Sequence, residues 1–208
     1  MRTAILASAA TAVLAGAAGV WAVSAGGAGA SGWEAEAVLR DAWGTRLGTV
    51  SFEGDEGHTS VRLKLAQVPG ITALDAFHGF HIHANADAAN GSGCIADPGA
   101  ASSTWFVSAD GHWKEDPGSN HAAHSGDMPS ALVLAGGTAD LRFRTGRFDP
   151  ADLEGRAVIL HAGPDNFGNV PVGAGANQYT ATSAGALSAT ANTGNAGDRL
   201  ACGVISLG

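Results

Sequence analysis

The chain has 208 residues, 45% of them hydrophobic and 14% charged, enough for one domain whose core needs no array of covalent staples. A formal net charge of −8 argues against nucleic acid or an anionic membrane surface as a partner. Two cysteines are present, and an exported chain with an even count pairs them, so a Cys94–Cys202 disulfide is expected.

In chain order, Arg2 precedes an apolar run from Ala4 to Val23 and a small-residue stretch, Gly26 to Ala30. This pattern predicts a secretory signal peptide over 1–30, cleaved after Ala28-Gly29-Ala30, and a mature domain over 31–208. The run is about long enough to span a bilayer, so an uncleaved anchor is the alternative; its Ala/Gly richness and small-residue exit favour cleavage. No stable membrane insertion of the cleaved protein is then expected, and its home is extracellular or in the cell envelope. Removing Arg2 takes the charge from −8 to −9.

From Trp33 onward, short alternating stretches predict strands over Glu34–Leu39, Arg46–Phe52 and Thr59–Leu65, with further candidates at Phe77–His83, Ala131–Leu134, Ala139–Phe143, Ala157–His161 and Leu200–Leu207. About eight short strands and few helix signals indicate an all-β, immunoglobulin-like Greek-key barrel or sandwich. Two long loops, Asn85–Pro129 and Ala162–Asp198, interrupt the pattern. Structureless loops of that length in compact domains are uncommon unless functional or disordered.

The histidines gather in and around these loops. His81 and His83 stand two apart in a strand candidate, so both imidazoles share one face while Phe80 and Ile82 take the other. Isolated, such a pair is more often two half-exposed side chains than a metal site. His121, His124 and Asp127 offer two imidazoles and a carboxylate at a spacing that no strand face accommodates, so the loop must curl for them to meet. His112 lies between, His161 ends an apolar strand, and His58 falls in a turn, where it is expected to be solvated.

Three stretches carry a family resemblance: Phe77-His78-Gly79-Phe80-His81-Ile82-His83, His161-Ala162-Gly163-Pro164-Asp165-Asn166-Phe167-Gly168-Asn169, and Thr193-Gly194-Asn195-Ala196-Gly197-Asp198-Arg199-Leu200-Ala201-Cys202-Gly203-Val204-Ile205. Together they resemble the copper/zinc superoxide dismutases of the bacterial, secreted type, over residues 33–208. The resemblance implies copper on His81, His83, His112 and His161, and zinc on His112, His121, His124 and Asp127, with His112 bridging the two. Four imidazoles suit Cu(II), and a closed histidine-carboxylate set suits zinc. It further implies that Asp165 orients one histidine of each metal, that His78 is structural, that Arg199 positions the superoxide anion, and that the disulfide holds the Cys94 loop against the Arg199 turn. The activity implied is dismutation of superoxide to oxygen and hydrogen peroxide, with His112 and Arg199 as the catalytic residues. The alternative is a non-catalytic copper-binding or copper-delivery module on the same fold. A homodimer is one assembly that the resemblance allows. The chain departs from the family pattern in an insertion around Pro98–Val107, between Cys94 and His112, and in Trp113, where Phe or Tyr is usual.

Overall fold

The computed structural model describes residues 34–66, 74–166 and 184–208; the expected signal peptide over 1–30 and the Phe167–Asn169 part of the second loop lie outside them. Among the described residues there are nine strands: β1 (Ala35–Arg40), β2 (Arg46–Asp55), β3 (His58–Leu65), β4 (Ala76–His78), β5 (Phe80–His83), β6 (Ala131–Val133), β7 (Ala139–Thr145), β8 (Ala157–His161) and β9 (Arg199–Leu207). Seven form one antiparallel sheet in the order β5-β8-β9-β1-β2-β3-β7, and β4 pairs with β6 in a separate ribbon. The architecture is the expected all-β barrel or sandwich. Alternation explains it: Ala35, Ala37 and Leu39 of β1 turn inward, as do Val61, Leu63 and Leu65 of β3, and they meet Val50, Phe52, Phe80, Ile82, Leu160 and Ile205 in one core.

The expected strand Phe77–His83 is two strands. It breaks at Gly79, whose N–H donates to the Gly163 carbonyl at 2.7 Å and whose own carbonyl accepts from His161 at 2.8 Å. A Cβ there would lie 2.8 Å from Asp165 Oδ1 and 2.9 Å from His81 Cε1, so glycine makes room for the site. His78, before the break, is buried and hydrogen-bonded through Nδ1 to the His161 carbonyl at 2.8 Å.

The outer edge of β5 is covered by the first long loop. Trp113 N–H donates to the Ile82 carbonyl, Ile82 N–H to the Gly126 carbonyl and Ala84 N–H to the Gly111 carbonyl, each at 2.8–2.9 Å. These bonds bridge His83 to His112 and His81 to Asp127. The remainder of that loop contains three short 3₁₀ turns, Ala88–Asn90, Ser102–Thr104 and Val107–Ala109.

The second loop, in which no helix or strand was expected, contains a helix, α1 (Ala184–Thr193). Its alanines favour the helix, and Gly194, at φ 62°, ends it by donating to the Thr190 carbonyl. Cys94 and Cys202 are bonded, Cα atoms 5.5 Å apart, as expected. The insertion packs beneath that bond: Phe106 joins Ala42, Ala109, Ala157, Ile159 and Cys202 in a second small core.

Candidate metal centre

All seven side chains expected to bind metal converge. His81 and His83 come from β5, His161 from the end of β8, and His112, His121, His124 and Asp127 from the loop that covers β5. Each is buried, in contrast to the half-exposed histidines that an isolated His-x-His would suggest. His58 begins β3 and is exposed, away from the cluster.

The cluster has two halves. In one, a ring nitrogen from each of His81, His83, His112 and His161 lies within 4.8 Å of the others. In the other, Asp127 Oδ1 lies 2.9 Å from His112 Nδ1, 3.2 Å from His121 Nδ1 and 3.4 Å from His124 Nδ1, and the Nδ1 atoms of His112 and His124 are 3.3 Å apart. A tetrahedral ion with bonds of about 2.0–2.1 Å separates its ligand atoms by about 3.3–3.4 Å, close to these edges. His81 also lies within 4.8 Å of His112, His121 and Asp127. His124 fits the fourth corner better, because His81 directs Nε2 to Asp165 instead.

Hydrogen bonds to the other ring nitrogens select which atom each histidine presents. His83 Nδ1 donates to the Asp110 carbonyl at 2.8 Å and His161 Nδ1 to the Gly197 carbonyl at 3.1 Å, which leaves Nε2 of both facing inward. Asp165 Oδ1 is 2.8 Å from His81 Nε2 and 3.5 Å from His121 Nε2, while Oδ2 accepts from Ser130 Oγ at 2.6 Å. The approach to His81 is off the line of the N–H bond, so it is an electrostatic contact and not an aligned hydrogen bond. His81 Nδ1, His83 Nε2, His112 Nε2 and His161 Nε2 are all buried with no hydrogen-bond partner. Each such atom costs about 1–3 kcal/mol, and their convergence makes sense if an ion satisfies them together.

Burial, more than any neighbouring charge, pushes His81 and His112 down to about 3 and His83 and His161 well below the ordinary histidine value. The rings are therefore neutral near pH 7, the form that binds metal. Burial works against the Asp127 carboxylate, but hydrogen bonds from His112 and His121 outweigh it and hold that group far below its usual range. Burial raises Asp165.

Arg199 opens β9 opposite His161, next to a register shift at Leu160/His161. Its two terminal nitrogens donate to the carbonyls of Phe106 and Asp110, and its charge depresses both His83 and His161, so it stands beside the four-histidine half. Ser102 Oγ donates to Asp198 Oδ2 at 2.5 Å, tying the insertion to the residue before Arg199.

Several supporting residues were not picked out by sequence reasoning. Arg147 donates from Nη1 to the His124 carbonyl and from Nη2 to the Ala122 carbonyl, each at 2.8 Å, and so clamps a turn in which Ala122 has φ 80°. His121 N–H donates to the Ala191 carbonyl of α1 at 2.7 Å. Gly194 closes against Asp165 and His121; a Cβ there would stand 2.8 Å from Asp165 Oδ1 and 2.6 Å from His121 Nε2. The Gly-Asn-Ala-Gly turn was a visible signal for the last, whereas nothing near Arg147 or Ser130 marked them. Trp113 is buried in the core, with the Arg156 guanidinium 3.9 Å from its ring centre.

A family profile described as copper/zinc superoxide dismutase (SODC) matches residues 46–205. A superoxide dismutase [Cu-Zn] of Mycolicibacterium paratuberculosis is 37% identical over 170 residues, covering 79% of this chain and 70% of the relative. One from Mycobacterium bovis is 36% identical, covering 79% and 67%. Among solved structures, a variant of a SOD-like protein from Bacillus subtilis superposes with a TM-score of 0.54 at 19% identity, covering 81% of this chain and 95% of that one, a likeness of fold alone. With the profile spanning most of the chain, every residue of the cluster included, and relatives 36–37% identical over 170 residues, the chain belongs to the copper/zinc superoxide dismutase family and is an oxidoreductase that dismutates superoxide with copper and zinc.

Proposed function

We propose that His112 bridges the two metals, with Nδ1 toward zinc and Nε2 toward copper. The observation that carries this is its two-sided setting: Nδ1 lies 2.9 Å from Asp127, and the buried Nε2 has no hydrogen-bond partner on the side of His81, His83 and His161. Copper would then be held by His81 Nδ1 and by Nε2 of His83, His112 and His161. Zinc would be held by Nδ1 of His112, His121 and His124 and by Asp127 Oδ1. Copper, when bound, supplies a one-electron cycle in which one superoxide is oxidised to oxygen and a second, taking up two protons, is reduced to hydrogen peroxide.

The chain's own residues supply position and protons. Arg199 is held by two loop carbonyls, and its remaining N–H groups offer a small anion a fixed, planar cation. His112 can take a proton at Nε2 while Asp127 and its neighbours retain Nδ1. Burial disfavours the imidazolium, so a proton there is readily passed to the departing peroxide. Asp165, between His81 and His121, fixes one ring on each side. No residue of this set is missing, so nothing favours a copper-delivery module without turnover.

The same reading takes 1–30 as an export signal and 31–208 as the mature domain, which suits an oxidising compartment in which Cys94–Cys202 persists. Metal analysis combined with a superoxide-decay assay tests the assignment. His161→Ala is expected to lose copper and activity and keep zinc, and His112→Ala to disturb both metals, while His58→Ala matches the native protein. Full activity in His161→Ala, or loss of only one metal in His112→Ala, would overturn it.

A further inference from the structure

Asp110 combines an unusual backbone with an unusual number of partners. Its torsion angles, φ 63° and ψ −161°, fall in a region that is almost exclusively glycine's. Its carboxylate accepts from three donors of the segment that leaves β5: Ala86 N–H at 2.6 Å and Asp87 N–H at 2.9 Å on Oδ2, and the Asn90 amide on Oδ1. That segment is itself braced, since Asn85 N–H donates to the Ala109 carbonyl and Asp87 caps the 3₁₀ turn Ala88–Asn90 through Ala89 N–H. Its carbonyl, meanwhile, accepts from both His83 Nδ1 and Arg199 Nη2. One peptide oxygen thus orients a histidine of the four-histidine half and the arginine beside it.

We propose that the Asp110 carboxylate is a positioning group for the reaction: anchored by the 86–90 segment, it holds its own backbone in a conformation that other side chains rarely adopt, and so aims one carbonyl at His83 and Arg199 together. The side chain acts through the backbone and touches neither substrate nor metal. Phe106 is arranged similarly at the other end of the Val107–Ala109 turn: it has φ 56°, a buried ring and a carbonyl that accepts from Arg199. The insertion thereby supplies one carbonyl to Arg199, and Asp110 supplies the second. The inference rests on the roles of Arg199 and His83 proposed above.

Glycine takes these torsion angles without strain and has no carboxylate, whereas alanine keeps the strain and loses the anchor. The pair therefore separates backbone positioning from any direct effect of the charge. In the metal-loaded protein, with azide as a small monoanion probe, Asp110→Ala is expected to weaken azide binding and lower kcat/KM together, on the order of tenfold, with copper and zinc contents unchanged. Asp110→Gly is expected to return both to within about twofold of native. Native behaviour of Asp110→Ala would overturn the proposal, and so would equal impairment of the alanine and glycine variants. If Asp110→Ala does not fold, Asn90→Ala serves instead: it should weaken azide binding in the native background and have no effect in the Asp110→Gly background, and equal loss in both would overturn the proposal. Arg199→Ala separates this from the underlying reading. If it leaves azide affinity intact, the role given to Arg199 fails; if it weakens binding while Asp110→Ala does not, only the present proposal fails.

Discussion

A methyl group on Gly194 would collide with Asp165 and with the imidazole of His121, and φ 62° would in addition strain any side chain at that position. Gly194→Ala should therefore displace the carboxylate that orients His121 and lower zinc affinity by about 10–100-fold, the usual cost of losing such a supporting contact. Competition with a chromophoric chelator measures this, and unchanged affinity would refute it. Acid acts on single residues as well. His81 and His112 sit at about 3 in the folded protein, below the ordinary 6.5, so the unfolded chain binds protons first as pH falls. The stability they contribute is thus complete above pH 6.5 and is lost on descending toward 3, by up to about 1.4 kcal/mol per pH unit for each ring. Urea midpoints of the metal-free protein at pH 7, 5 and 4 should fall in that order. At this scale the sequence was most legible where chemistry repeats at short range, as in His81 and His83. It was silent on Arg147, Ser130 and Asp110, because their partners lie 20 or more residues away and a backbone torsion leaves no mark on composition.

The strands were readable from alternation because one face of most of them is buried. The break at Gly79 was not, since Phe77–His83 is apolar enough to pass for one strand and only the approach of Asp165 and the Gly163 carbonyl divides it. Helix α1 was hidden by its composition: a stretch of Ala, Ser, Thr and Gly carries no apolar stripe to mark a helix, and the tertiary bond from His121 to its last turn is invisible in sequence. The disulfide could be counted, but the packing of the insertion beneath it could not. The covalent link joins residues 108 apart, and the loop-entropy account of so large a ring gives about 4–5 kcal/mol. Cys94→Ser with Cys202→Ser should lower the stability of the metal-free protein by up to that amount in urea titrations. It should also weaken azide binding, because Phe106 packs in the small core that Cys202 shares while its carbonyl holds Arg199. A stability loss with native azide affinity would show that the Arg199 turn holds without the bond.

As a whole the protein is acidic, and a form cleaved after Ala30 would carry about −9, the −8 of the full chain less the one charge of Arg2. No Lys or Arg lies between Gly163 and Asp198, so the second loop has no cation to draw an anion inward. Lys114 has an electrostatic effect on His124, on the zinc side, and none is seen on the four-histidine half. Attraction is therefore local to Arg199, against a repulsive background. Salt screens both, so the native rate should vary little with ionic strength, whereas the rate of Arg199→Ala should rise with salt, as only repulsion is left to screen. Pulse-radiolysis or stopped-flow rates from low to physiological salt check this, and a steep fall for the native protein would overturn it.

The segments that cover β5 carry His112, His121, His124 and Asp127, and they also occupy the hydrogen-bonding groups that an outermost strand would otherwise present. An uncovered strand of this kind is a template for pairing with another molecule. On the zinc assignment proposed above, the ion would cross-link those segments to one another, keep them seated on β5, and so act as a solubility factor as well as a cofactor. Stripping it would turn the margin of the sheet into an adhesive seam, and the protein's shelf life in solution would then depend on its metal load as much as on its core.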